Sequence, residues 1–392
     1  MDLSVNRSAD LDALMCTHDP VRRMAPEDEE AILRMLENSP MKVGGLELIY
    51  DRRPRFEGLL ELQAPRRLTL VAGARGDPRA FASLSWGPRW VDGKVVSALY
   101  IGDFRVQADR ALARTWRRFY PGLVGLIGTS SDFGPSSWIY TAVLENNLPA
   151  YRSLVENRPG KSFYYHPLAR LEMVNSVLRM PSLARSREPL PEGVRLITGA
   201  ALGEERLVEF LDRVNRGLFL GYLFADSEWR RRKEQWPGFG AEKFLVLVDA
   251  RGEPLACTLP WSPSNVKKMM VSQAGRVSKL LFGAAGSLGM KVPRVGEPIE
   301  TLYLSHLSFR PGLDAGLAPR LVGAFLHEIY DSGMARRHQM VSYADPASWR
   351  EYPALRRFIS QVTPVRIFLV STTPEHPRPN ESGPIGFEMG LV

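Results

Sequence analysis

Apolar and polar residues alternate along this chain in two periods, and the change from one to the other marks its elements. In "LYLSHLSFRPGLDAGLAPRLVGAFLHEIYDSG" (302–333) a strand-like run passes through a short loop into a helix. Leu321, Val322, Phe325, Leu326 and Ile329 recur there at helical spacing, which predicts one buried face. Two further stretches, "VAGARGDPRAFASLSW" (71–86) and "VLVDARGEPLACTLPW" (246–261), share one order: apolar strand, the turn A-R-G-acid-P, a second apolar strand, then Trp. Each predicts a β-hairpin. "PEDEEAILRMLENSP" and "GEERLVEFLDRVNRG" predict a helix ahead of each hairpin.

The hairpins are one pair of a longer internal repeat. "LYIGDFRV" (99–106) answers "LYLSHLSF" (302–309) at an offset of 203, whereas the hairpins are offset by 176, so the second copy carries 27 extra residues within 262–301. That excursion is rich in Gly, Ser and Lys and reads as a solvated basic loop with a short helix around Val277 to Phe282. "RMPSLARSREPLPEG" (179–193) has linker composition. The expected organisation is a first domain over 1–178, a linker over 179–193 and a second domain over 194–392. Both run helix, hairpin, strand-loop-helix, strand and helix, and a closing strand pair. The fold class is α/β, with a mixed central sheet flanked by helices.

Composition narrows the chemistry. A chain of 392 residues with 44% hydrophobic content can bury a full core in each half. Cys16 and Cys257 stand far apart without a metal-ligand pattern, and the six histidines have no HExxH or CxxC companions, so neither a disulfide framework nor a metal is expected. The first residues lack a signal-peptide pattern and no apolar run nears the ~20 residues of a membrane span, so a cytoplasmic protein is expected. The formal net charge of +8 suits an anionic partner: an acidic acyl carrier protein, a phosphate-bearing cofactor or nucleic acid. Nucleic acid is not indicated, since no recognised module or aromatic-interleaved basic patch is present.

With this order of elements, the chain resembles a tandem duplication of the GNAT acyltransferase family over nearly its whole length. The family's fourth strand leads into a loop R/Q-x-x-G-x-G/A whose amides bind the pyrophosphate of acyl-CoA. Here the second copy reads "LDAGLA", with Asp314, Ala315, Gly316, Leu317 and Ala318 as implied cofactor contacts and Leu313 at the Arg/Gln position. Glycine lets backbone approach phosphate, and the start of a helix favours its charge. The 203 offset sets "RALART" on the same loop, with Arg110 first but Ala113 and Thr115 where small residues belong, which implies a degenerate first site. The family's N-x-x-A-x-x-x-Y motif survives in parts: Asn147 and Ala150 in the first copy, with Leu154 at the Tyr position, and Tyr352 in the second, with Asp345 and Ser348 replacing Asn and Ala.

The resemblance implies acyl transfer from acetyl-CoA or another acyl-CoA to the amine of a small molecule or protein, with the second domain catalytic. Strand positions Leu307, Ser308 and Phe309, and their counterparts Phe104, Arg105 and Val106, would lie along the cofactor. The backbone N–H of Leu307 or Ser308, or of Phe104 or Arg105, would stabilise the oxyanion. Tyr352 would protonate the departing thiolate, and His306, or Asp103 in the first copy, would take the amine's proton. A hydrogen-bonded core role is the alternative for His306, and an arginine's structural partner for Asp103. "NRGLFLGYLFADSEWRRRKEQW" (215–236) would border the acceptor or form core. Two other readings stand beside acetyl transfer: a longer acyl chain delivered by CoA or by an acyl carrier protein, and a non-catalytic acyl-CoA-binding protein.

Overall fold

The computed structural model describes residues 9–43, 45–107, 109–130, 133, 138–156, 161–179, 189–225, 227–287, 292–346, 348–377 and 384–392. Most of the expected linker, 180–188, lies outside them. The first half runs α1 (Ala9–Cys16), β1 (Val21–Arg23), α2 (Glu29–Glu37), β2 (Met41–Val43), β3 (Leu46–Asp51), α3 (Gly58–Gln63), β4 (Arg66–Ala74), β5 (Asp77–Val91) and β6 (Lys94–Val106). It continues through α4 (Arg110–Thr129), β7 (Trp138–Leu144), α5 (Leu148–Ala150) and β8 (Tyr164–Arg179). The second half runs β9 (Arg195–Thr198), α6 (Gly199–Leu202), α7 (Glu204–Arg216), β10 (Gly221–Tyr222), α8 (Ser227–Gln235), β11 (Leu245–Val248) and β12 (Pro254–Trp261). There follow β13 (Lys268–Ala274), α9 (Arg276–Ser287), β14 (Thr301–Phe309), α10 (Leu317–Asp331), β15 (Met340–Asp345), α11 (Pro353–Arg356) and β16 (Phe358–Ser371).

The repeat is visible in the turns. Both hairpins close on a glycine with positive φ, Gly76 at 76° and Gly252 at 78°, where a side chain would be strained. The apolar stripe of α10 is buried as its spacing predicts: Leu321, Val322, Phe325 and Ile329 are fully enclosed against β12, β14 and β15. Removing each from water contributes about 1.5–3 kcal/mol.

One sheet of thirteen strands joins both halves, in the order β1-β4-β5-β6-β7-β16-β8-β15-β14-β12-β11-β9, with β10 paired to β5. Its pairs are antiparallel except β6 with β7 and β14 with β15. The expected closing strand pair of each half is instead one long strand that crosses over. β16, from the second half, pairs with β7 through Val365–Leu369, and β8, from the first, pairs with β15 through Glu172–Ser176. The two long strands also pair with each other from Phe358 opposite Arg179 to Ser371 opposite Tyr164. Each half therefore lends its last strand to the other.

The excursion over 262–301 differs from a solvated loop. Its strand β13 pairs antiparallel with β3 of the first half, from Lys268 opposite Asp51 to Ala274 opposite Leu46, in a three-stranded sheet with β2. Within "KMMVSQA" Val271 is buried with Leu48 and Ile299. The short helix is α9, longer at both ends than expected.

Candidate acyl-transfer site

The fourth strand of each half carries the same defect at the same place. Asp103 on β6 has φ 55° and His306 on β14 has φ 52°, both non-glycine residues in the left-handed region. The ladder register shifts beside each, between Phe81 and Ser83 on one partner and between Cys257 and Leu259 on the other. These are β-bulges, and they re-aim the strand just before the loop. Each strand also parts from its parallel neighbour there: pairing with β7 ends at Tyr100 opposite Tyr140, and pairing with β15 ends at Tyr303 opposite Ser342.

Ladder geometry sorts the amide donors. The N–H of Arg310 donates to Leu255 O at 2.8 Å, and Ser308 lies opposite Cys257 in the same register. Because amides alternate sides along an antiparallel strand, the Ser308 N–H is also spent on β12, while those of Leu307 and Phe309 face the opening. In the first half Gln107 N–H donates to Arg79 O at 2.9 Å and Arg105 lies opposite Phe81, so Phe104 and Val106 aim into the opening and Arg105 does not.

The loops beyond the bulges differ. β14 ends at Phe309 and α10 begins at Leu317, whereas β6 ends at Val106 and α4 begins at Arg110. The first copy is thus four residues shorter here, and the 203 offset does not continue through it. "RALART" is the first turns of α4, so Arg110 stands inside a helix and not in a phosphate loop. That helix end is already occupied by an anion: Asp109 accepts from Ala111 N at 2.9 Å and Leu112 N at 3.1 Å and pairs with Arg79 at 3.1 Å. These amide bonds hold its carboxyl below the ordinary value. In the second copy no side chain caps α10. Gly312 has φ 76° with open space around it, and a Cβ on Gly316 would meet only Asp314 Oδ1, at 3.1 Å. The Gly316 N–H donates to that oxygen at 2.8 Å, and Leu317 N–H to Asp314 O at 3.0 Å. The carboxylate at the start of α10 holds one amide, that of Gly316, from outside the helix, whereas Asp109 as N-cap holds two amides at α4.

His306 and Asp103 are both enclosed and both paired within the chain. The imidazole of His306 is buried among five rings, Phe224 and Trp236 with centroids at 5.0 and 5.2 Å and Tyr222, Phe239 and Phe244 at 6.0–6.3 Å. Glu388 takes both its Nδ1, at 2.9 Å, and its backbone N–H, at 2.7 Å. Burial holds this imidazole below its ordinary pKa against the pull of Glu388. A ring so enclosed has the surroundings of a hydrogen-bonded core histidine, the alternative to a base at this position. Asp103 accepts from both guanidinium nitrogens of Arg52, at 3.0 and 2.6 Å, and from Ser83 at 2.7 Å. Burial would raise its pKa, but Arg52 and Ser83 outweigh that and hold it below the ordinary value. It is the counter-ion of a buried arginine.

The remaining residues border the openings. Asn147 caps α5, its Oδ1 accepting from Ala150 N at 3.3 Å. Asp345 accepts from Trp349 N and Arg350 N at 2.9 and 3.0 Å, shaping the turn after β15. The Trp349 ring meets Phe309 at 5.1 Å, and Tyr352, 37% exposed and three residues further on, directly precedes α11. Sequence reasoning missed Arg52, Glu388 and Trp349, whose roles depend on distant chain. Asp109 was within reach, since Asp directly before an apolar-periodic helix is an N-cap signal.

No family model matches the sequence, and no curated protein matches it. Solved structures do. A crystal structure of Saccharomyces cerevisiae N-myristoyltransferase with bound myristoyl-CoA aligns with a TM-score of 0.53 and 12% identity over 93% of this chain and 86% of that one. A second, of the same enzyme, gives 0.53 and 12% over 95% and 84%. The chain has the tandem GNAT-like α/β fold, a mixed sheet flanked by helices. No described helix is long and apolar enough to cross a membrane.

Proposed function

We propose that this protein transfers an acyl group from acyl-CoA to an amine, and that its second half, 194–392, holds the donor. The observation that carries this reading is the contrast between the two helix starts: α10 follows a glycine-bearing loop in which Asp314 takes only the Gly316 amide, whereas Asp109 caps α4 on two amides and pairs with Arg79. The phosphates would lie at Gly316 to Ala318, and the pantetheine arm along Leu307 to Phe309. The Leu307 amide would meet the thioester oxygen as negative charge develops there, a fixed donor needing no reorganisation. An acetyl group suits the second half, because Phe224, Trp236, Phe239 and Phe244 fill the space beside the bulge that a long chain would need. The acceptor amine belongs to a small molecule or a protein.

Tyr352 would protonate the leaving thiolate. Tyr352→Phe should lower turnover by roughly 10²–10⁴-fold with little change in CoA affinity. Single-turnover kinetics and calorimetric titration measure the two separately, and a lost affinity with intact turnover would assign Tyr352 to binding. Native mass spectrometry of the purified chain tests the donor directly: retained CoA or acetyl-CoA supports the reading, and a retained long-chain acyl-CoA would replace acetyl by the longer group.

A further inference from the structure

Segment 384–392 returns through the second half to the bulge of β14. Its first residues run beside those that precede β10: Phe219 N–H donates to Pro384 O at 3.0 Å, and Gly386 N–H to Phe219 O at 2.9 Å. The approach is close, for a Cβ on Gly386 would stand 2.7 Å from both Gly221 Cα and Leu220 O. Further on, Met389 and Leu391 are buried, Gln63 of α3 donates to Leu391 O, and Lys267 donates to a main-chain oxygen of Val392. Glu388 is thus anchored on both sides along the chain, with its side chain 10% exposed. A single oxygen, Oε1, accepts both N–H groups of His306, the amide at 2.7 Å and Nδ1 at 2.9 Å.

That pairing answers a need created by the bulge. His306 and Leu307 stand opposite the single Thr258, between the pairs Ser305–Leu259 and Ser308–Cys257. A bulge leaves its extra residue outside the ladder, and a buried amide without a partner costs about 1–3 kcal/mol. His306 also keeps φ 52°, a conformation that persists only where its surroundings over-determine it. Glu388 supplies the missing acceptor and holds the ring as well. The next peptide plane carries the Leu307 N–H, so fixing His306 fixes where that amide points.

We propose that Glu388 is a positioning residue for acyl transfer, holding the bulge at His306 so that the Leu307 amide meets the thioester oxygen. The inference rests on the reading that lays the acyl donor along Leu307 to Phe309. Glu388 acts through His306 and not on the substrate. Its effect belongs to the chemical step, since a donor misplaced by about 1 Å can cost on the order of 10²-fold in rate.

The test binds acetyl-CoA, isotopically labelled at the thioester carbonyl carbon, to the full chain and reads that carbon by NMR. Calorimetric titration gives the affinity and thermal melting the fold. On the parent chain the carbonyl resonance should move downfield of free acetyl-CoA, because a hydrogen bond to the oxygen draws electron density from the carbon. Glu388→Ala should lose that shift while CoA affinity barely changes. Glu388→Gln keeps an acceptor oxygen at the same reach and should retain the shift. Glu388→Asp keeps the charge but withdraws the oxygen by one methylene, and should lose part of it. The last two decide the matter should Glu388→Ala fail to fold. A full shift in folded Glu388→Ala or Glu388→Asp overturns the proposal alone, as does a shift lost only together with CoA affinity. Equal loss in Glu388→Gln would assign the effect to charge and overturn it as well. A parent chain that binds no acetyl-CoA, or binds it without a downfield shift, removes the reading of the donor position and the proposal with it.

Discussion

Replacing Gly316 by glutamate should leave a folded protein that no longer holds CoA. The backbone there has φ −77°, which any residue adopts, and an added Cβ meets only Asp314 Oδ1 at 3.1 Å. An acidic residue at the start of α10 also agrees with the helix dipole. Stability should therefore stay within about 0.5 kcal/mol of the parent. The new carboxylate would take the amides that the reading assigns to pyrophosphate, and like charges would face each other at contact distance. CoA affinity should fall by roughly 100-fold or more, the loss of one multidentate anion contact plus repulsion. Asp109→Ala in the first half provides the contrast: it frees the start of α4 and should not change CoA affinity if the donor lies at α10. Calorimetric titration of both variants decides the matter, and the reverse ranking would move the donor to the first half.

Asp103→Ala should destabilise the protein by about 3–5 kcal/mol, because it strands a buried guanidinium. The Arg52 side chain is 4% exposed, and the two bonds that it donates to Asp103 compensate its burial. Removing both partners, as Arg52→Met with Asp103→Leu, should recover most of the loss. Urea unfolding of the two single variants and the double variant measures this coupling. A loss below about 1 kcal/mol with abolished turnover would instead return Asp103 to the chemistry. The pH dependence has a definite sign. The folded pKa lies below the unfolded one, so the contribution is complete above the unfolded value near ~3.9 and disappears as pH falls through the folded value.

Local signals carried much of the architecture. The turn glycines Gly76 and Gly252 and the stripe from Leu321 to Ile329 are short-range patterns, and the equivalence of Asp103 with His306 follows from the same offset that aligns the strands. What stayed hidden was set by long-range pairing. Nothing near "SHLSF" announces that His306 will be enclosed by rings from 222–244 and tied to Glu388. The offset misled at Arg110 because length is least constrained in a loop, so an alignment that holds along β6 and β14 fails beyond them. The excursion over 262–301 misled through composition: Gly, Ser and Lys suggest a solvated loop, yet β13 had a waiting edge at β3, a partner more than two hundred residues away.

The exchanged strands have a consequence for how the molecule responds to dilution. Two separate copies that each lent a last strand to the other would come apart as their concentration fell, and the paired register from Phe358–Arg179 to Ser371–Tyr164 would go with them. In a single chain the second strand is always present at the effective concentration of a tethered partner. Covalent continuity thus turns an association into a folding step. Its equilibrium is indifferent to how much protein the solution holds, and cutting between the halves would make it concentration-dependent again.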